Sequence, residues 1–156
     1  LGRSNGAWVI NGEFYSPFRA DADPLVNSAE RWNLTNGSGG WEHPVHIHLE
    51  SHQITKMNGK RPREVWAYKS DVTHLGVNTT AEIQMRFRTF CGPFVFHCHN
   101  NNHEDMRMMK QFEVCGKDPV TGVKHPPTLN NEWFSVPEEC AGIPHDFIKG
   151  NPHIFS

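Results

Sequence analysis

Three histidines, a thiol and two thioethers fall within twelve residues, His97-Cys98-His99-Asn100-Asn101-Asn102-His103-Glu104-Asp105-Met106-Arg107-Met108. The run before it, Gly92-Pro93-Phe94-Val95-Phe96, reads as the entry to a buried strand. Successive side chains of a strand point to opposite faces, so Cys98 faces one way while His97 and His99 face the other. A second cluster, His43-Pro44-Val45-His46-Ile47-His48, repeats this logic. His46 and His48 share a face, and His43 has the opposite parity, with its direction loosened by Pro44. A thiolate, two imidazoles and a weak axial methionine make a trigonal blue-copper electron-transfer site. Cys98, His103 and Met108 lie at intervals of five and five, which suits a loop wrapped around one ion. The sequence therefore predicts a type 1 copper held by His43, Cys98, His103 and Met108. It also predicts a second, polynuclear copper site partly lined by His46, His48, His97 and His99. Cys98 would then be joined through its own backbone to ligands of the second centre, a short path for electrons.

Each piece has a plainer reading. An isolated His-x-His is more often a surface pair or a weak zinc chelator. A buried cysteine is more often a small hydrophobe or half a disulfide, and Met108-Met109 more often packs a core. The conjunction weighs against these readings. Six of the eleven histidines fall in two clusters of matching parity, and the one cysteine flanked by histidines has His at plus five and Met at plus ten. Structural zinc usually closes with four ligands at spacings such as C-x-x-C, and that spacing is missing from this sequence.

His43-Pro-Val-His-Ile-His48 and His97-Cys-His-Asn-Asn-Asn-His-Glu-Asp-Met-Arg-Met-Met109 resemble the two C-terminal copper signatures of the multicopper oxidases. The His-Glu-Asp-x-x-Met-Met ending is more similar to the bilirubin oxidase and spore-coat laccase branch than to the fungal laccases. The resemblance runs from Trp8-Val-Ile-Asn-Gly12 through Glu30-Arg-Trp-Asn-Leu-Thr-Asn36 to Phe112-Glu-Val114, covering roughly residues 7 to 115. It implies that His46 binds a type 2 copper and that His48, His97 and His99 bind a type 3 pair. It also implies that Glu104 helps deliver protons to reduced oxygen; the plainer reading of Glu104 is a solvated acid on a loop. The family's trinuclear centre takes eight histidines, half of them from an N-terminal domain with its own His-x-His pairs. Here His52, His74, His125, His145 and His153 are scattered singles that read as surface or packing residues. Leu1 is not an initiator methionine. The expectation is a C-terminal copper domain of a longer oxidase, holding a type 1 copper and half of a type 2/type 3 trinuclear cluster. One departure from the branch is Arg107, a cation beside the axial ligand, where a small or acidic residue is usual.

The elements that must position these residues read as strands at 7–15, 30–35, 45–50, 52–57, 64–69, 81–89, 94–98 and 110–114, rich in Val, Ile, Phe, Trp and Thr and divided by Gly, Pro, Asn and Asp turns. Ala81-Glu-Ile-Gln-Met-Arg-Phe-Arg-Thr89 alternates cleanly and places Ile83, Met85 and Phe87 inward. Many short strands argue for an all-β, Greek-key β-sandwich of the cupredoxin kind, with residues 1–116 as the copper domain. After it the pattern stops. Six of the eleven prolines lie between Pro119 and Pro152. Residues 117–156 read as an irregular proline-rich arm with short helical turns near Asn131–Phe134 and Pro137–Cys140.

At 156 residues the chain can bury one sound core but not two or three sandwiches. A net charge of −2 without a basic run points away from nucleic acid and anionic membranes. No apolar stretch approaches the roughly 20 residues that span a bilayer. With Cys98 assigned to copper, Cys91, Cys115 and Cys140 remain, and Cys115–Cys140 is the preferred disulfide. Sequons occur at Asn33, Asn36 and Asn78. Together these favour a secreted, extracellular glycoprotein, with a periplasmic or spore-coat location as the alternative.

The expected function is a copper-dependent, laccase-like or bilirubin oxidase-like enzyme. A phenol, a tetrapyrrole or a low-valent metal ion would give single electrons through His43 or His103. Cys98, His97 and His99 would carry them to the trinuclear site, where dioxygen becomes water with the help of N-terminal cupredoxin domains. The alternatives are a stand-alone blue-copper carrier, a copper-storage or structural module, or a metal-ion oxidase.

Overall fold

Alternation of apolar and polar residues along Ala81–Arg86 builds the strand at the centre of one sheet. Ala81, Ile83, Met85 and the following Phe87 are buried there, as the sequence predicts. The computed structural model describes residues 1–4, 6–88, 90–116, 121, 123 and 124. Its strands are β1 (Gly2–Ser4), β2 (Ala7–Val9), β3 (Ala29–Thr35), β4 (His43–Ile47), β5 (His52–Met57), β6 (Lys69–Ser70), β7 (Val72–Leu75), β8 (Thr80–Arg86), β9 (Gly92–Cys98) and β10 (Met109–Val114), with one short helix, α1 (Asn101–Asp105). Two four-stranded antiparallel sheets form, in the orders β10-β9-β4-β7 and β3-β8-β5-β6, beside a β1-β2 ribbon.

The inward faces of the two sheets share one buried cluster: Val45, Ile47, Leu75, Phe96, Cys98 and Phe112 from the first, Leu34, Ile54, Ala81, Ile83 and Met85 from the second. Trp32 of β3 packs its ring against Phe87, Phe96 and Phe112, tying the layers together. Burying each such side chain contributes on the order of 1.5–3 kcal/mol. The result is the expected cupredoxin β-sandwich. The outer edge of β10 is covered as well: Asp21 and Val26 donate to Gln111 and Cys115, and Glu113 and Cys115 donate back to Ala22 and Pro24.

Several boundaries differ from expectation. The 7–15 strand stops at Val9, and Asn11 and Gly12, at φ of 54° and 77°, turn the chain so that Glu13 N bonds to Ile10 O. An Asn-Gly pair is a strong two-residue hairpin signal, and here it overrides the β-rich composition around it. The 45–50 strand ends at Ile47, because Leu49 lies at φ 78°. The 64–69 strand is instead a 3-10 turn, Glu64–Trp66, followed by the two-residue β6. β1, β7 and α1 are additional. The helical turns expected near Asn131–Phe134 and Pro137–Cys140 lie outside the described residues.

The disulfide expectation needs correction. Cys115 is a free, buried thiol whose Sγ donates to Glu113 O at 3.5 Å, so it is not half of a Cys115–Cys140 bridge. Its position explains this: it follows β10, buried beneath the 21–26 segment, and burial pushes its thiol up to about 11. Cys91 is the described cysteine that is disulfide-bonded.

Candidate metal centre

β4 and β9 are neighbours, and their register sets the two histidine motifs side by side. Val45 opposes Cys98, and His46 opposes His97. Directly opposed residues share a face, so Cys98 and Val45 point into the sandwich while His46 and His97 point out of it. Pro44 accepts from His99 N at 2.6 Å, extending the match past the end of β9.

Inside, three donor atoms converge. His43 Nδ1 lies 3.4 Å from Cys98 Sγ and 3.1 Å from His103 Nδ1, and Cys98 Sγ lies 3.6 Å from His103 Nδ1. A triangle with these sides has its centre about 2 Å from each corner, the length of a metal–imidazole bond. All three residues are buried, and so is Met108. This donor set fits a copper ion of the blue type.

α1 and the turn after it bring His103 and Met108 together. Met108 N bonds to His103 O at 3.0 Å and Arg107 N to Glu104 O at 2.8 Å, the paired bonds of a Schellman helix end. Arg107 occupies the left-handed position, at φ 71°, where glycine is usual. Met108 O then accepts from Cys98 N at 3.0 Å, closing the loop onto β9. The Arg107 guanidinium lies over the Phe14 ring at 5.9 Å. The cation that bears on His103 is Arg3, whose guanidinium covers Trp8 at 4.7 Å.

Burial first, then the neighbouring His103, push His43 down to about 4. Burial and Arg3 lower His103. Both rings are thus held neutral, the state in which an imidazole binds a metal. Burial raises the Cys98 thiol, opposed by a backbone hydrogen bond from Asn100 and assisted by Glu104. A bound cation would supply the charge that ionises it.

On the opposite face His46, His48 and His97 form a second cluster, their ligand atoms within 4.8 Å of one another. His48 Nε2 and His97 Nε2 are 3.3 Å apart. The His99 ring centre lies 5.6 Å from those of both His46 and His97. His48 and His99 are exposed, so this cluster opens outward, whereas the first is sealed. The rear nitrogens are engaged: His46 Nδ1 with Asp71 O at 3.1 Å, His97 Nδ1 with Cys98 O at 3.2 Å and Glu104 Oε2 at 3.2 Å. Such partners fix the tautomer and leave Nε2 for a metal. Glu104 is therefore no solvated loop acid; it sits on α1 against a candidate ligand.

The chain matches known proteins over most of its own length. The sequence profile of the multicopper oxidases matches residues 2–118. The chain belongs to the multicopper oxidase family. It is 39% identical over 120 residues to a bilirubin oxidase of Albifimbria verrucaria, covering 73% of this chain and 21% of that protein. It is 37% identical over 109 residues to a multicopper oxidase of Staphylococcus aureus, covering 68% and 24%. The laccase-like multicopper oxidase CueO of Ochrobactrum sp. superimposes with a TM-score of 0.63 at 34% identity, covering 70% of this chain and 24% of that one. The chain thus spans a fifth to a quarter of the length of the relatives it matches. Members of this family are oxidoreductases that bind copper.

Sequence reasoning passed over several residues around this multicopper oxidase site. Trp8 of β2 stacks on His103 at 4.0 Å and lies 5.2 Å from His43. Trp41, 52% exposed, stands edge-on to Trp8 and His103. Trp41 shares parity with His43, a signal that was available; Trp8 is distant in sequence and gave none. Asn36, read as a sequon, is buried. Its Nδ2 donates to Trp41 O at 2.7 Å, Gly76 O at 2.9 Å and Leu75 O at 3.3 Å, and this nitrogen has no room for a glycan. Asn33 and Asn78 are exposed.

Proposed function

We propose that this chain is residues 1–116 of copper domain, plus the 117–156 arm, from an oxidase that takes single electrons from a reducing donor and passes them to dioxygen. His43, Cys98, His103 and Met108 would hold a type 1 copper; His46 would hold a type 2 copper, and His48, His97 and His99 a type 3 pair. Copper would supply one-electron redox chemistry at the first site and dioxygen reduction at the second. The carrying observation is the β4–β9 register, which sets Cys98 and His97, a buried thiol and an outward imidazole on consecutive residues, opposite Val45 and His46 of the other histidine motif.

The residues themselves do the rest. Trp8 and Trp41 cover the His43–His103 side, so a donor would approach over the exposed edge of Trp41. Cys98 and the adjoining peptides are the covalent link between the two clusters. Glu104, half-buried against His97 Nδ1, would carry protons between solvent and the second cluster. The outward opening of that cluster supports its completion by histidines of an N-terminal cupredoxin domain. The bilirubin oxidase and laccase relatives favour a tetrapyrrole or phenolic donor, with low-valent metal ions as a third class. The same kinship, with three exposed or half-buried ligands awaiting a second domain, favours an enzyme over a stand-alone electron carrier. A secreted, extracellular location fits the disulfide-bonded Cys91. Among the described residues no helix is long and apolar enough to cross a membrane.

The test is copper loading of the chain and of Cys98→Ser. An intense blue band in the wild type that disappears in the variant is expected; an unchanged visible spectrum would refute the ligand set. Oxygen uptake with a phenolic donor should appear only when the N-terminal part is added.

A further inference from the structure

We infer that Ser38, held in place by Asn36, is a positioning residue for His43: it accepts the Nε2–H hydrogen bond and so presents Nδ1 to the ion of the inner cluster. The inference rests on the type 1 copper reading and extends it to a residue outside the ligand set.

His43 is fully buried, and both of its nitrogens are accounted for. Nδ1 faces Cys98 Sγ and His103 Nδ1, while Nε2 lies 2.8 Å from Ser38 Oγ. A neutral imidazole carries one N–H, and the partner of one nitrogen decides the role of the other. The question is then which way the Ser38 hydroxyl points.

Asn36 answers it. Its amide nitrogen faces three carbonyls, of Trp41, Gly76 and Leu75, so its oxygen must be the atom turned toward Ser38. That oxygen accepts from Ser38 N at 3.0 Å and from Ser38 Oγ at 2.7 Å. With its own hydrogen committed to Asn36, Ser38 Oγ can only accept from His43. The chain of donors therefore runs one way, from His43 Nε2 through Ser38 Oγ to Asn36 Oδ1. Gly39 and Gly40, at φ of 71° and 132°, let the loop turn back tightly enough to set Ser38 over the ring.

Two consequences follow for copper. Accepting the Nε2–H makes Nδ1 a more basic ligand. A more basic ligand favours the more highly charged, oxidised ion, so the hydrogen bond lowers the reduction potential of the site. Loss of such a partner typically weakens metal affinity by about 10–100-fold.

The experiment uses the 156-residue chain, Ser38→Ala and Ser38→Thr. Nitrogen-15 NMR of histidine-labelled, metal-free protein reads the His43 tautomer, and redox titration of the blue band reads the potential after loading with copper. The wild type should show a single Nε2–H tautomer. Ser38→Ala should show a mixture, bind copper about 10-fold more weakly and titrate at a higher potential, while Ser38→Thr, which keeps the hydroxyl, restores all three. Ser38→Ala unchanged in either the tautomer or the potential overturns the inference. A wild type that shows no blue band on loading defeats the copper reading instead, and the metal-free tautomer measurement then decides the role of Ser38 alone.

Discussion

His52 should make this domain acid-sensitive in a way that one substitution removes. Its ring is 1% exposed on β5, between the sheets. Nε2 is bonded to Thr73 Oγ1 at 2.6 Å, and Nδ1 has no partner. Burial pushes it from 6.5 to about 4, with Asp71 opposing and His46 assisting. In the fold it stays neutral at pH values where the unfolded chain has taken up a proton. Its contribution is therefore complete above about pH 6.5 and is lost as the pH falls toward 4. Linkage between these two values gives a loss of about 2.5 kcal/mol at pH 4.5. For a domain of this size that is roughly 5–10 °C in Tm. His43, His48 and His103 are also lowered and lose stability in acid too, but they are present in both proteins, so a comparison with His52→Gln isolates one ring. Urea unfolding of the metal-free proteins at pH 7 and 4.5 is the assay. The wild type should lose about 2.5 kcal/mol more than the variant. Equal losses would refute the assignment of a neutral buried imidazole.

Other perturbations test the scaffold around the site. Arg107→Gly removes a left-handed arginine, relieving roughly 1–2 kcal/mol of backbone strain against up to about 1 for glycine's entropy, so thermal melting should rise by a few degrees; a fall would show that the Phe14 contact matters more. Lys110 is fully buried between Asp21 and Glu13, at 2.9 and 3.0 Å. Lys110→Met leaves Asp21 with Arg19 alone and should cost about 3 kcal/mol in urea unfolding; Lys110→Met with Asp21→Asn should recover much of it, and a double variant as unstable as the single would refute the charge argument. In the assembled oxidase, Glu104→Gln should slow oxygen uptake while leaving the blue band intact, and uptake at the wild-type rate would remove Glu104 from the proton path.

How much of this could be read without coordinates depends on the range of the forces involved. Strand alternation is a property of the local backbone, so the opposite facing of Cys98 and His97, and the inward Ile83, Met85 and Phe87, follow from residue order alone. The five-and-five spacing of Cys98, His103 and Met108 likewise bounds a loop, and an Asn-Gly pair at 11–12 marks a turn that composition had hidden. Pairing of β4 with β9 is different. Val45 meets Cys98 across 53 positions because two sheets bury one apolar cluster, and no local pattern states that register. The same holds for Trp8 over His103, for His52 beside Thr73, and for Asn36, whose sequon concealed a buried amide bonded to three carbonyls. Residue order determined which atoms could bind a metal. Tertiary packing decided which of them meet, which are shut from water, and which neighbours hold their hydrogens, because burial and long-range hydrogen bonds exist only once the chain has closed on itself.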